Sequence, residues 1–346
     1  MSDGFFEQRS LWVHGEGGYF LYRIPAMVTA LAGTVLAFCE ARKNTGTDYD
    51  DIDLVMRRSN DGGLSWESQQ IVVAGEHETC GNPCPIVDED TGIVWLLFCK
   101  NNQLICSTFS EDCGLTWSEP REITATTKDS NWAFVGTGPC QGIQLQSGRL
   151  LAPAWCDESP GLVKWRPKPS WGKIQSSYTI YSDDHGESWS RGAMLTRNAS
   201  DECAVVETED GAVYLNARSR CDINRRAFSW SYDGGATWSP VEYDKEQPEP
   251  SCQGSLRRLT KHSTSSKSRI LLVHPSDTKA RCQLTIRMSS DECQSWPLSK
   301  VITKGPASYS DLTNGVDDTI LCLYESERKL ILVRFDLAWL TKCRDV

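Results

Sequence analysis

The chain has 346 residues, 39% of them hydrophobic and 24% charged, with a formal net charge of −10. That is the composition of a soluble globular chain, and the acidic balance argues against a general nucleic-acid or membrane-surface binder while leaving room for a local basic pocket. No apolar run approaches the roughly 20 residues that span a bilayer, and "MSDGFFEQRSLWVHGEGGYF" at the start has neither the basic beginning nor the apolar stretch of a secretory leader.

In chain order, short strand-like runs alternate with turns. "YRIPAM" (22–27) and a run ending in "CEAR" (39–42) come first. A loop crowded with carboxylates follows, "ARKNTGTDYDDIDLVMRRS" (41–59), carrying Asp48, Asp50, Asp51 and Asp53. Repulsion within such a cluster is expected to raise some of its pKa values, which suits a general acid. The phrase "SNDGGLSW" (59–66) comes next. It returns as "SEDCGLTW" (110–117), "SDDHGESW" (182–189), "SYDGGATW" (231–238) and, in altered form, "SSDECQSW" (289–296). Between the copies lie "GIVWLLFCK", "GRLLAPAW", "GAVYLNARS", "RILLVHP", "QLTIRMS", "TILCLYES" and "KLILVRF", all bounded by turn residues. No long segment shows 3.6-residue periodicity.

A recurrence near 50 residues is the length of four short strands and their turns, one blade of a propeller. The phrase reads as a structural clip. Its Asp accepts turn N–H groups, its Gly takes a backbone angle closed to other residues, and its Trp anchors apolar neighbours. In the fifth copy Cys293 and Gln294 break the pattern. Five clips predict an all-β, six-bladed β-propeller with one blade lacking a clip, closed by the N-terminal strand joining the last blade. The whole chain, 1–346, is expected to form one domain.

The 15 cysteines contain no C-x-x-C pair, and Cys80 and Cys84 in "CGNPC" have no histidine at zinc spacing. They read as buried thiols of a reducing compartment, the cytoplasm. Neither a metal nor an organic cofactor is expected.

The repeated phrase is identified as an Asp box, and "YRIPAM" resembles the F/Y-R-I-P motif of exo-α-sialidases. The resemblance, to bacterial and mammalian cytosolic members, runs from Tyr22 to about Phe335 through "NPCP", "LNARS", "CQGS", "YSDL" and "CLYE". It implies a retaining hydrolase of terminal sialic acids on oligosaccharides, glycolipids or glycoproteins. Sialic acid carries a carboxylate at its anomeric carbon, and guanidinium groups match a carboxylate bidentately. Arg23, Arg218 and Arg287 match the clamp. A carboxylate nucleophile would be repelled by that same substrate carboxylate. The family uses a tyrosine, matched by Tyr309 in "SYSDL", with a base beside it. Glu202 in "SDECAVVE" matches that base, with Glu207 as the rival. Asp48 matches the acid/base, with Asp50 the alternative and Asp53 structural. Glu325 matches a glutamate that holds the first arginine. Glu40 and Arg42 match the C4 side of the sugar, Asn82 the N-acyl pocket and Gln253 the glycerol side. "PAWCDES" departs from the mammalian pattern, putting Trp155 and Asp157 where two tyrosines stand; Trp155 reads equally as a core residue. A relative acting on the deaminated sialic acid, a trans-sialidase and a non-catalytic glycan-binding propeller remain the alternatives. Linkage preference and oligomeric state are not written in the sequence.

Overall fold

The structure is a computed structural model and describes residues 4–158, 174–259 and 268–342. Six antiparallel sheets stand around an axis as a six-bladed β-propeller. The innermost strands are Leu21–Thr29, Cys80–Val87, Phe134–Thr137, Ser200–Glu207, Ser255–Arg258 and Ser310–Asn314. Five blades run outward in chain order, the third with a fifth short strand, Ile143–Gln144. The sixth borrows its outer strand, Phe6–Val13, from the other end of the chain, where it pairs with Lys329–Phe335. Among the described residues no helix is long and apolar enough to cross a membrane, and the 14 described cysteines are free thiols.

Strands between two neighbouring blades are covered on both faces, so they read as nearly continuous apolar runs. Val35–Arg42 is buried throughout, whereas the outer strand Leu298–Pro306 alternates. The core is therefore a ring of six inter-blade seams. Phe38 and Leu54 meet Leu96 and Phe98 between the first two blades. Leu271 and Ile286 meet Leu312 and Phe335 between the last two.

The repeated turns seal these seams. Asp61 accepts from Ser59 Oγ, the amides of Leu64 and Ser65, and Ser65 Oγ at 2.5–3.0 Å. Ser59 Oγ in turn accepts the Gly63 amide. Asp112, Asp184, Asp233 and Asp291 repeat the pattern. Each turn's tryptophan then enters the seam with the preceding blade: Trp66 the sixth–first, Trp117 the first–second, Trp189 the second–third, Trp238 the third–fourth and Trp296 the fourth–fifth. The altered fifth copy keeps its bonds because Cys293 takes the left-handed backbone, φ +66°, that glycine takes elsewhere. A Cβ at Gly186 would fall 2.2 Å from Trp95, so that copy has no such freedom.

The sixth blade has no such phrase. A short helix, Leu337–Thr341, stands where it would be. Asp336 caps it, accepting the amides of Trp339 and Phe5. Leu340 and Trp339 fill the fifth–sixth seam, and Trp339 stacks on Phe6 at 4.6 Å.

On the axis, the buried Asp311 carboxylate joins four blades. It accepts the Met27 and Gln141 amides, Ser255 Oγ and its neighbour's amide at Leu312. Burial pushes its pKa up to about 6.

Candidate active site

At one mouth of the axis lies a pocket of about 290 Å3. First strands begin there, second strands end there and third strands begin there. Arg23, Asn82, Glu202 and Tyr309 come from the starts of first strands. Glu40, Arg42, Trp155 and Arg218 come from the ends of second strands.

Arg23 lies at a bulge in its strand. Its Nε and Nη2 donate to the two oxygens of Glu325 at 3.1 and 3.2 Å, and Glu325 Oε1 also takes the Ile24 amide at 2.8 Å. Ile24 adopts φ +55°. A β-branched residue pays of order 1–2 kcal/mol for that conformation, and Glu325 holds it there, leaving the third edge of Arg23 facing the pocket.

Tyr309 Oη donates to Glu202 Oε1 at 2.5 Å, and Arg218 Nη1 donates to Glu202 Oε2 at 2.9 Å. Burial and then the Glu202 charge push the phenol's pKa well up, against the pull of Arg218, Arg281 and Arg23. Arg23 and Arg281 lie over the Tyr309 ring at 5.1 and 5.4 Å. Asp48 pairs with Arg42 at 2.8 Å and Arg23 at 3.4 Å. Glu40 takes two donors from Arg42 and the Asn82 amide. A Cβ on Gly81 would fall 2.5 Å from Glu40 Oε1, so glycine is needed for this close approach.

Of the four loop aspartates, Asp48 alone lines the pocket. Asp50 takes the amides of Asn44, Thr45 and Gly46, folding the loop on itself. Asp53 takes the Tyr19 hydroxyl and Lys43. The expected rise in pKa by mutual repulsion is corrected at Asp48. Burial works upward, but Arg42 and Arg23 outweigh it and hold the carboxyl below its ordinary range. Glu207 lies at the far end of its strand, against the Gln146 amide.

Three expected contacts are not in the pocket. Arg287 bonds His274 Nε2 and Ser276 Oγ on the body of the fifth blade. It stands six residues beyond Arg281, roughly 20 Å along an extended strand. Arg281, just before strand Cys282–Ser289, takes the place in the pocket, held by Ser308 Oγ and the Ser251 carbonyl. Gln253 spends its amide on the backbone at Pro139 and Ser310, so it ties the axis instead of facing the glycerol side. Asp157 is fully buried and accepts Gln175 Nε2; Gln175, not Asp157, lines the pocket. Trp155 does line it, stacked on Phe134 at 4.6 Å.

Sequence reasoning missed Arg281, Arg220, Asp201, Asn102, Phe134 and Gln175. The usable signal was position at a strand end on this mouth, a criterion Arg281 meets and Arg287 fails. Asp201 is pinned between Arg218 and Arg220 at 3.7 and 3.6 Å. Burial raises its pKa against the pull of Arg218, with Glu202 adding to the rise.

Comparison with known proteins places this geometry. Residues 33–321 match the BNR repeat-like domain family. The chain is 32% identical to a sialidase of Micromonospora viridifaciens over 97% of its own length, and spans about half, 54%, of that relative. It is 30% identical to human Sialidase-3, with 89% of this chain and 86% of the relative covered. The structure of a Hadza microbial sialidase superposes with a TM-score of 0.87 at 27% identity, over 96% of this chain and 69% of the other.

Proposed function

We propose a reaction from one premise: the chain belongs to the sialidase family. It is an exo-α-sialidase that removes terminal sialic acids from oligosaccharides, glycolipids or glycoproteins with retention at the anomeric carbon. The observation that carries this reading is the 2.5 Å bond from Tyr309 to Glu202 beneath the guanidinium groups of Arg23, Arg218 and Arg281.

Those three arginines bind the substrate carboxylate. The pocket lining carries five guanidinium groups against four carboxyl groups, with Glu325 behind Arg23 as a fifth. An incoming carboxylate therefore tips a near-balanced site negative. It engages the charge that keeps Asp48 ionised, and Asp48 takes up a proton as the substrate settles. Asp48 then gives that proton to the leaving oxygen. The anomeric C–O bond breaks while Tyr309 Oη bonds the anomeric carbon and passes its own proton to Glu202. In the second half Asp48 takes a proton from water, which attacks the anomeric carbon. Glu202 returns its proton to the departing phenolate. Charge neutrality of the phenol matters because an anionic nucleophile would be repelled by the bound carboxylate. The free thiols support action in a reducing compartment, the cytoplasm.

Release of 4-methylumbelliferone from its N-acetylneuraminic acid glycoside tests the reading. Tyr309→Phe is expected to lower kcat by about 10^3 or more, of order 4 kcal/mol. Asp48→Ala loses far less on this activated leaving group than on sialyllactose, which needs the proton. Wild-type turnover in Tyr309→Phe would remove the nucleophile assignment. A β-anomer as first product, seen by proton NMR, would remove retention.

A further inference from the structure

The axis has a second mouth, where the innermost strands end. The space there is about 390 Å3, larger than the first pocket. All six blades reach it, through Thr29, Val87, Gln144, Glu207, Arg257 and Asn314. The buried side chains of Asp311, Gln141 and Gln253 fill the axis between the two mouths.

Two residues that line it carry buried polar atoms that no protein group answers. Arg257 follows Ser255 by two residues, so strand alternation turns both to the axis, and Ser255 bonds the Asp311 hub. Arg257 Nη1 donates to Gln141 Oε1 at 2.7 Å, but its Nε is buried without a partner. Among the described residues no carboxylate lies within ion-pair distance of this guanidinium; Asp311 and Glu89 act on it only from further away. Asn314 Nδ2 donates to the Arg258 carbonyl, and its Oδ1 is buried and unanswered. Burying an unpaired charge or an unmade hydrogen bond is costly. The neighbouring Arg258 is by contrast satisfied, by the Glu207 carbonyl and the Glu292 carboxylate. Of the carboxyl groups at this mouth, Asp90 takes Gln144 Nε2, Glu207 takes the Gln146 amide, and Glu89 acts on Arg257 from a distance.

We infer that the second mouth binds a small hydroxycarboxylate, its carboxylate on the Nε–Nη2 edge of Arg257 and its hydroxyl donated to Asn314 Oδ1. Two parallel N–H donors fit a carboxylate bidentately, and an amide oxygen accepts only from a donor. The ligand enters from the face opposite the first pocket.

Isothermal titration of the full chain with citrate, malate and gluconate tests this, with the first pocket filled by the 2,3-unsaturated analogue of sialic acid. One molecule per chain of at least one acid is expected to bind beside the analogue. Affinity is expected to fall at least about tenfold in Arg257→Met and about threefold to tenfold in Asn314→Ala, while Asn314→Ala keeps wild-type sialoside turnover. If removing the charge below Asp311 prevents Arg257→Met from folding, Arg257→Lys and Asn314→Ala decide. Binding of none of the three acids overturns the inference. So does displacement of the acid by the analogue, or wild-type affinity in the variants that fold. Each outcome is read as binding, so failure of the catalytic reading leaves it standing and its own failure leaves that reading untouched.

Discussion

In the turn at 59–66, the bonds around Asp61 join residues no more than four apart. In the pocket, Tyr309 reaches Glu202 across 107 residues and Arg23 reaches Glu325 across 302. The turns are local objects that each blade makes for itself, while the pocket takes at least one residue from every blade. Local chemistry can be spelled as a word and repeated. Convergent chemistry can only be specified by where on a strand each residue stands.

The sharpest break of that comparison sets Arg281 against Arg287. Arg281→Ala is expected to lower kcat/KM roughly 100- to 1000-fold, about 3–4 kcal/mol of transition-state stabilisation. Arg287→Ala should stay within a few-fold, because its contacts are His274 and Ser276. Steady-state kinetics with the fluorogenic sialoside separates the two, and a large loss in Arg287→Ala alone would return the clamp to the sequence-based assignment.

The next prediction asks whether the helix at 337–341 replaces a turn. Trp339→Ala and Trp296→Ala should each destabilise the chain by about 2–4 kcal/mol, read from urea unfolding, with kcat unchanged. If Trp339→Ala costs under about 0.5 kcal/mol, within the range of ordinary surface changes, the helix is decoration and the sixth seam closes without it.

A smaller effect is spread over all five turns. The hydroxyl and amide of Ser65 hold Asp61 down to about 2. At Asp112 burial works upward, but Thr116 and Ser110 outweigh it and the value is again about 2. A carboxyl depressed in the folded state contributes stability that is present above its unfolded value near 3.9 and is lost as pH falls through the folded value. Unfolding free energy should therefore decline between about pH 4 and 2. Asp61→Asn should flatten that decline in a circular-dichroism acid titration, and an unchanged slope would count against the turns as its source.

The smallest effect expected is that of Cys293→Gly. Relief of the left-handed backbone favours glycine by about 1 kcal/mol. Loss of the thiol from its contacts with Trp296 and Tyr214 opposes it by a similar amount. A net change within about 1 kcal/mol is expected from thermal unfolding. A larger loss would show that this turn depends on packing more than on its hydrogen bonds.

These contrasts mirror what was legible beforehand. Blade number, the missing sixth phrase and closure by the N-terminal strand all follow from local repetition. Tyr309, Glu202, Arg23, Arg218 and Asp48 stand inside motifs, and the structure brings them to one pocket. Arg287 failed because "LTIRMS" is a good strand but an interior one, and the pocket draws on strand ends. Gln253 and Asp157 failed for another reason. A polar residue beside a pocket can be used up by the backbone or by a neighbour, and only geometry reveals that. The seam-sealing role of each tryptophan was invisible because its partners lie on the previous blade.

The borrowed strand Phe6–Val13 has a consequence in time. The blade that supplies Tyr309 and Glu325 gains its outer edge only when Phe6–Val13 meets Lys329–Phe335, more than 300 residues further along the chain. During synthesis five blades can stack while that strand waits without its partner. The arginine of "YRIP" is made well before the phenol beneath it and before the glutamate that orients it, which lies 302 residues further on. The pocket is completed in the same event that closes the ring, because the blade that closes it also brings Tyr309 and Glu325 to Glu202 and Arg23.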